Sequence, residues 1–275
     1  MNMQNVIAAL RGGLLQQDRL LKLDTPLGAD TLTVQRAVGR ARIGRSYEFT
    51  LDVLAADGDL ELKKLIAQPV TLWIQQADRS YRPRHGYVHT ARRLGADGGL
   101  TTYQLAFADF THFLKFRRDQ RIWNDTTVDQ IITDVLNRHP QAQGHFRFAL
   151  SQPLPSRSYT RQHDTDWHFM HRLMEDEGLY CGWQQADDGK SHTLVITDNL
   201  QAFAPLSPET VRFYRAGTAS EADAFTQWTG TRTLQSVTLS TRTFDYKNPS
   251  VSTNPKGTNV PTMAGQGALP DQLEV

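Results

Sequence analysis

The chain has 275 residues, 39% of them hydrophobic and 21% charged, with a formal net charge of +1. That length is enough to bury two cores, and the near-neutral balance excludes the global electrostatic footprint of a nucleic-acid or anionic-membrane binder. A single cysteine, Cys181, forbids an internal disulfide and fits a reducing compartment, and the apolar runs are all too short for a membrane-spanning segment.

In chain order, the opening MNMQNVIAALRGGLLQQDRLL has an apolar patch but no basic leading region and no small-residue cleavage site, so no secretory signal is expected. Tyr47, Phe49, Leu51 and Val53 alternate with Glu48, Thr50 and Asp52, the period of a half-buried strand. LELKKLIA (60–67) reads as a short helix-like piece closed by Pro69. VTLWIQQ, HGYVHTARRL and LTTYQLAFADF follow as strands, the last two joined by a hairpin turn at ADGG (96–99). Short loops and antiparallel-type strands argue for a barrel or sandwich. The Lys/Arg clusters from Arg79 to Arg93 and from Lys115 to Arg121 are interrupted by other residue types and read as solvated faces.

ADFTHFLKF closes a first domain, residues 1–116. A second α+β domain, 117–205, begins with an amphipathic helix from Thr126 to His139. Val128, Ile131, Ile132, Val135 and Leu136 share one face, Thr126 with Asp129 suggests a capping box, and Pro140 ends the segment. FRFAL, LYCGW and HTLVITD supply its strands. A second helix sits in RSYTRQHDTDWHFMHRLMEDEGLYCGW (157–183). Asp164 is the expected N-cap, Asp166 adds first-turn negative charge, and Gly178 supplies the left-handed stop. On the wheel, Trp167, Phe169, Met170, Leu173 and Met174 cover one arc, and His168, His171, Arg172, Glu175 and Asp176 the other. After Pro205 and Pro208, strands within 209–250 are expected to rejoin the first domain. The polar stretch 251–275 is expected to be extended or disordered.

The helix segment resembles the VgrG family of type VI secretion spike proteins through Tyr159, Gln162, Thr165, Asp166, Phe169, Arg172, Leu173, Glu175, Glu177, Gly178, Leu179 and Tyr180. Three further stretches agree in order: Leu32 to Leu54 with its TLDVLAAD ending, Arg121 to Leu136, and FDYKNP, with Phe244, Asp245 and Tyr246. The chain departs from the pattern at His163 and at Cys181. The resemblance implies a β-dominated α+β fold of two barrel-like antiparallel domains with helical insertions, like a phage tail hub. It also implies a structural protein with no catalytic residue, cofactor or metal. As a homotrimer it would adapt the hexameric tube protein to a threefold needle and help deliver effectors. It would be cytoplasmic during assembly and then exported by the apparatus without a signal peptide. Family members continue past the equivalent of Leu273-Glu274-Val275 into an OB-like domain and a needle, so a hub fragment with weak trimerisation is expected. A phage or prophage tail hub is the alternative.

The residues themselves leave an enzymatic reading to weigh. His168, His171 and Glu175 have the spacing to converge on a metal, with His163 or His192 as a third ligand, for a metal-dependent hydrolase. Against it, no glutamate sits between the histidines, and Arg172 brings a fixed positive charge to the same face. His163-Asp164 is too short to specify a phosphohydrolase site, and Cys181, in an aromatic strand, reads as a buried structural thiol. Trp73, Trp123, Trp167, Trp183 and Trp228 are candidate core residues or interface anchors. Threonine-rich Thr238 to Thr243 reads as an edge that another subunit could cover.

Overall fold

The computed structural model describes residues 19–97, 99–203, 205, 210–213, 224–225, 227–231, 238–241 and 256–259. Described residues up to Val211 belong to one compact unit, and the later strands group in a second.

The first unit starts as a six-stranded antiparallel sheet. Its strands are β1 (Leu21–Asp24), β2 (Thr33–Arg40), β3 (Glu48–Ala55), β4 (Pro69–Gln75), β5 (Tyr81–Asp97) and β6 (Leu100–Ala108). Their order is β1-β4-β5-β6-β3-β2. The two end strands of that order lie against each other, so the sheet curls into a barrel-like form. Two register shifts in the long β5, between Val88 and Thr90 and between Arg93 and Gly95, are bulges that let it bend. The alternation seen in the sequence is real: Leu51, Val53 and Ala55 point inward while their neighbours are half exposed. The inward residues join Leu23, Leu72, Tyr103, Leu105 and Phe107 in one core. The hairpin expected at ADGG is present, with Asp97 opposite Leu100. The segment 60–67 holds only one 3-10 turn, Leu62–Lys64.

Two glycines are required by close approach. Gly39 of β2 sits opposite Phe49 of β3, and a Cβ there would lie 2.2 Å from the ring. A Cβ at Gly86 would lie 2.7 Å from the Ala108 carbonyl oxygen, a backbone atom that cannot swing away.

A 3-10 helix at Phe110–Lys115 leads out of the sheet, with Asp109 accepting from the Thr111 amide at its start. Beyond it come β7 (Arg121–Trp123), β8 (Thr126–Thr127), α1 (Val128–Leu136), β9 (Phe146–Ala149), β10 (Ser156–Arg157), β11 (Thr160–Gln162), α2 (Asp166–Asp176), β12 (Tyr180–Gln185) and β13 (His192–Thr197). α1 is shorter than its sequence pattern, and its reciprocal cap uses Thr127 and Gln130 rather than Thr126 and Asp129. Thr126 instead donates its hydroxyl to the Asn124 carbonyl at 2.8 Å. All five apolar residues predicted for α1 are buried. With Phe110, Phe169, Leu173, Leu194 and Ile196 they make a second core.

The three-stranded sheet β12-β13-β9 departs from an all-antiparallel plan, because β13 runs parallel to β9. A parallel pair needs a crossover connection, and the chain between them supplies one that contains α2. Among the described residues of the later part, β14 (Arg212–Phe213) pairs parallel with β15 (Ala224–Phe225), and β16 (Thr238–Thr241) pairs antiparallel with β17 (Lys256–Asn259). Among the described residues, no helix is long and apolar enough to cross a membrane.

Candidate functional site

α2 is where the family-like motif becomes geometry. Its N-cap is Thr165, whose hydroxyl accepts from the His168 amide at 3.2 Å, and not Asp164. Both residues can cap, and the helix starts one residue later than the sequence suggested. Asp164 instead faces Arg172 at 3.8 Å. Asp166, the first helical residue, is only 2% exposed. Its carboxylate accepts from Gln162 Nε2 at 2.6 Å, meets His139 Nε2 at 2.7 Å and lies 3.5 Å from Arg117. Its amide donates to the Arg117 carbonyl. One side chain therefore ties β11, the chain after α1 and the segment before β7 to the positive end of a helix.

The far end is equally determined. Gly178 has φ +69°, and the Leu179 and Gly178 amides donate back to the Met174 and Glu175 carbonyls, the Schellman arrangement. Glu177 accepts two bonds from Arg157, at 2.6 and 2.8 Å, fastening β10 to the helix end. Arg172 donates to the Arg161 carbonyl at 3.3 Å. Phe169 is fully buried and stacks on Trp123, and Leu173 is fully buried beside it. Tyr159 is 54% exposed and Glu175 lies on the surface, so these two motif residues hold no core together. Phe244, Asp245 and Tyr246 lie outside the described residues.

The expected polar arc of α2 needs one correction: His171 is buried. Its Nδ1 lies 3.3 Å from the Arg45 guanidinium, which also reaches Glu175 at 3.2 Å. A permanent cation thus occupies the space between two of the three suggested metal ligands, while His168 stands exposed. His192 belongs to a different cluster altogether. Among the described residues, no three His, Cys, Asp or Glu side chains are grouped to hold a metal. Cys181 is buried, and burial pushes its thiol up to about 12, which leaves no thiolate to react.

Sequence reasoning missed the seam between the two cores, whose partners lie about a hundred residues apart. His192 accepts the Phe110 amide at Nε2, so its proton sits on Nδ1 and is donated across 2.7 Å to Nδ1 of His85. Only one proton fits between those nitrogens, so both rings are neutral. Burial is the chief cause of their depressed basicity, to about 2 for His192 and about 4 for His85. Phe110 stacks on His192, and Tyr47 and Trp183 meet it edge-on. Asp109 is fully buried and accepts from the Tyr47 and Thr111 amides at 2.9 Å. Desolvation outweighs those bonds and raises it to about 6. Thr71 donates to the Gly189 carbonyl, and the His85 amide to Gln185, completing the joint. Tyr47, His85, Asp109 and His192 are all buried and bonded within this seam. The constellation is a rivet.

A family described as phage tail baseplate hub (GPD) matches residues 40–272. The chain belongs to that family. As a hub protein it is similar to type VI secretion system spike proteins of Pseudomonas aeruginosa. It is 32% identical to VgrG1b over 86% of this chain and 32% of the relative, and 29% identical to VgrG1a over 86% and 36%. The chain thus spans about a third of the length of these curated relatives. Its fold is that of an E. coli type VI secretion component described as similar to bacteriophage T4 tail proteins, with a TM-score of 0.61 at 19% identity. The match covers 68% of this chain and 51% of the other. The VgrG resemblance and the β-dominated hub fold are thereby established.

The seam gives the hub a defined response to acid. Unfolded histidines take up protons near pH 6.5, whereas His85 and His192 stay neutral in the fold down to about 4 and about 2. Below pH 6.5 the unfolded chain therefore binds more protons, and each histidine lowers stability by at most about 1.4 kcal/mol per pH unit. Asp109 works the other way: protonated in the fold below about 6, it offsets one histidine until the unfolded carboxylate also protonates. The urea midpoint is expected to fall as the pH is lowered from 7 to 5. A midpoint that holds or rises over that range contradicts the neutral histidine pair.

Proposed function

We propose that this hub is the base of a type VI secretion spike. Three copies would form a ring that adapts the sixfold tube to a threefold needle and carries effectors outward. The observation that supports this most is the hub-family match along 40–272 on a fold built from a curled antiparallel sheet joined to a second core. The chemistry agrees: buried ionisable groups serve joints, and the one candidate metal face is filled by Arg45. A force-bearing ring needs rigid subunits, and the seam makes the two cores move as one. Assembly would take place in the cytoplasm, with release by the apparatus itself.

Light scattering coupled to size exclusion tests the ring. The expected result is a concentration-dependent monomer–trimer equilibrium in which no dimer accumulates. A strict monomer at high micromolar concentration, or a dimer, contradicts the ring. A trimer that survives dilution to low micromolar would overturn the expectation of weak assembly and leave the ring standing.

A further inference from the structure

A groove of about 610 Å³ opens where the end of the six-stranded sheet meets α2. Its floor is the outer face of β2, β3 and β6. Val38 is in register with Thr50, Arg40 with Glu48, and Glu48 with Ala108, and all five line it. The β2–β3 loop forms one wall with Arg42 and Arg45. The opposite wall is Lys115, from the 3-10 helix, and the Trp167 ring of α2, with the Lys115 ammonium 5.7 Å from the ring centre. Four permanent cations thus line the groove together with a single carboxylate, Glu48. Arg45 is engaged by Glu175, but Arg40, Arg42 and Lys115 form no ion pair among the described residues. Arg40 and Arg42 are exposed.

Two physical features choose the ligand. The first is charge: Arg40 and Arg42 have no side-chain partner among the described residues, Lys115 has only His112 and the Trp167 ring, and anionic groups in the groove relieve the repulsion among these cations. Guanidinium groups favour carboxylates, which they can bond two at a time. The second is the backbone. β2 ends the strand order and is hydrogen-bonded among the described residues to β3 alone. β1 lies against β2, but its four residues cannot flank all eight of β2, so part of that edge offers amides and carbonyls to a further strand. Along an added strand, alternate side chains recur on one face about every 6–7 Å. Acidic groups at that spacing would lie along the row Val38, Arg40 and Arg42, and an apolar residue would meet Val38, which is 42% exposed, or Trp167. Trp167 Nε1 is buried with no partner among the described residues, so the ring also has a donor unspent.

We propose that this groove binds an extended, carboxylate-rich segment of a partner protein, laid as an added strand along β2 with its acidic side chains against Arg40, Arg42 and Lys115. The site lies wholly within the first unit and does not depend on the trimer. A groove of this size accepts a segment of a few residues, within the range of ordinary ligand pockets.

Fluorescence anisotropy of the full chain with a fluorescein-labelled octapeptide of alternating valine and glutamate is the test. Saturable binding is expected at low salt, weakening as ionic strength rises. R40E/R42E should weaken it at least tenfold, K115E should weaken it independently from the other wall, and R79E, on a remote turn, should leave it unchanged. A proline at the centre of the peptide should abolish most of the binding by blocking strand pairing. No saturable binding at low salt, or binding indifferent to R40E/R42E and K115E, overturns the site. Equal binding of the proline peptide, with displacement by tripolyphosphate or heparin at matched charge, makes this a general anion groove and overturns the peptide. Loss of self-association in R40E/R42E, with no peptide binding in the parent chain, assigns the groove to a second copy and likewise overturns it.

Discussion

Asp166→Ala is expected to lower the unfolding free energy by roughly 3–5 kcal/mol, the range for removing one partner of a buried charged network. The carboxylate is 2% exposed and answers Gln162, His139 and Arg117 together. Alanine removes the acceptor and leaves three donor-bearing groups facing a void, and it also takes negative charge from the first turn of α2. Asp166→Asn keeps the shape and an oxygen for Gln162, so its loss should be smaller than that of alanine. Urea unfolding of the three proteins checks this ranking. If alanine and asparagine both leave the midpoint in place, Asp166 does not organise the helix start. Because α2 carries a large part of the second core, D166A should also raise proteolytic cutting around 157–165 before global unfolding.

The second large effect separates residues that the family-like motif treats alike. Phe169→Ala is expected to cost about 3–5 kcal/mol, since the ring is fully buried, stacked on Trp123 and packed within the second core. Tyr159→Ala, ten residues earlier in the same motif, should stay within about 0.5 kcal/mol, because its ring is 54% exposed. Equal losses for the two would show that the motif acts as one structural unit. The expected split would place Tyr159 outside the subunit's own core, open to a contact with another subunit. Its effect should then appear in the light-scattering equilibrium rather than in urea.

Much of the fold was legible because local periodicity and local stops agree. The alternation from Tyr47 to Val53 is β3, the apolar face from Val128 to Leu136 is α1, and Gly178 ends α2 with positive φ. The capping residues slipped by one for a simple reason. Thr126 and Thr127 are both competent, as are Asp164 and Thr165, and the winner is set by where the rest of the helix packs. The solvated arc of α2 failed at His171 because a helical wheel cannot foresee that Arg45, 126 residues upstream, covers one polar position and not its neighbours. The parallel β9–β13 pair had no local signature, since a parallel partner is chosen by crossover and burial rather than by a turn.

By itself, then, the order of residues determined the strands, the two helices, their glycine punctuation and the likeness to a spike hub, all of which depend on neighbours within a few turns or strand repeats. Only the tertiary structure decided which polar groups are buried and with whom. The His85–His192 pair, the desolvated Asp109 and the cation between His171 and Glu175 each join residues 82 or more positions apart in their cross-seam contacts, or are created by burial alone. Hydrogen-bond partnership and dielectric environment are properties of three-dimensional packing, and no window along the chain contains them.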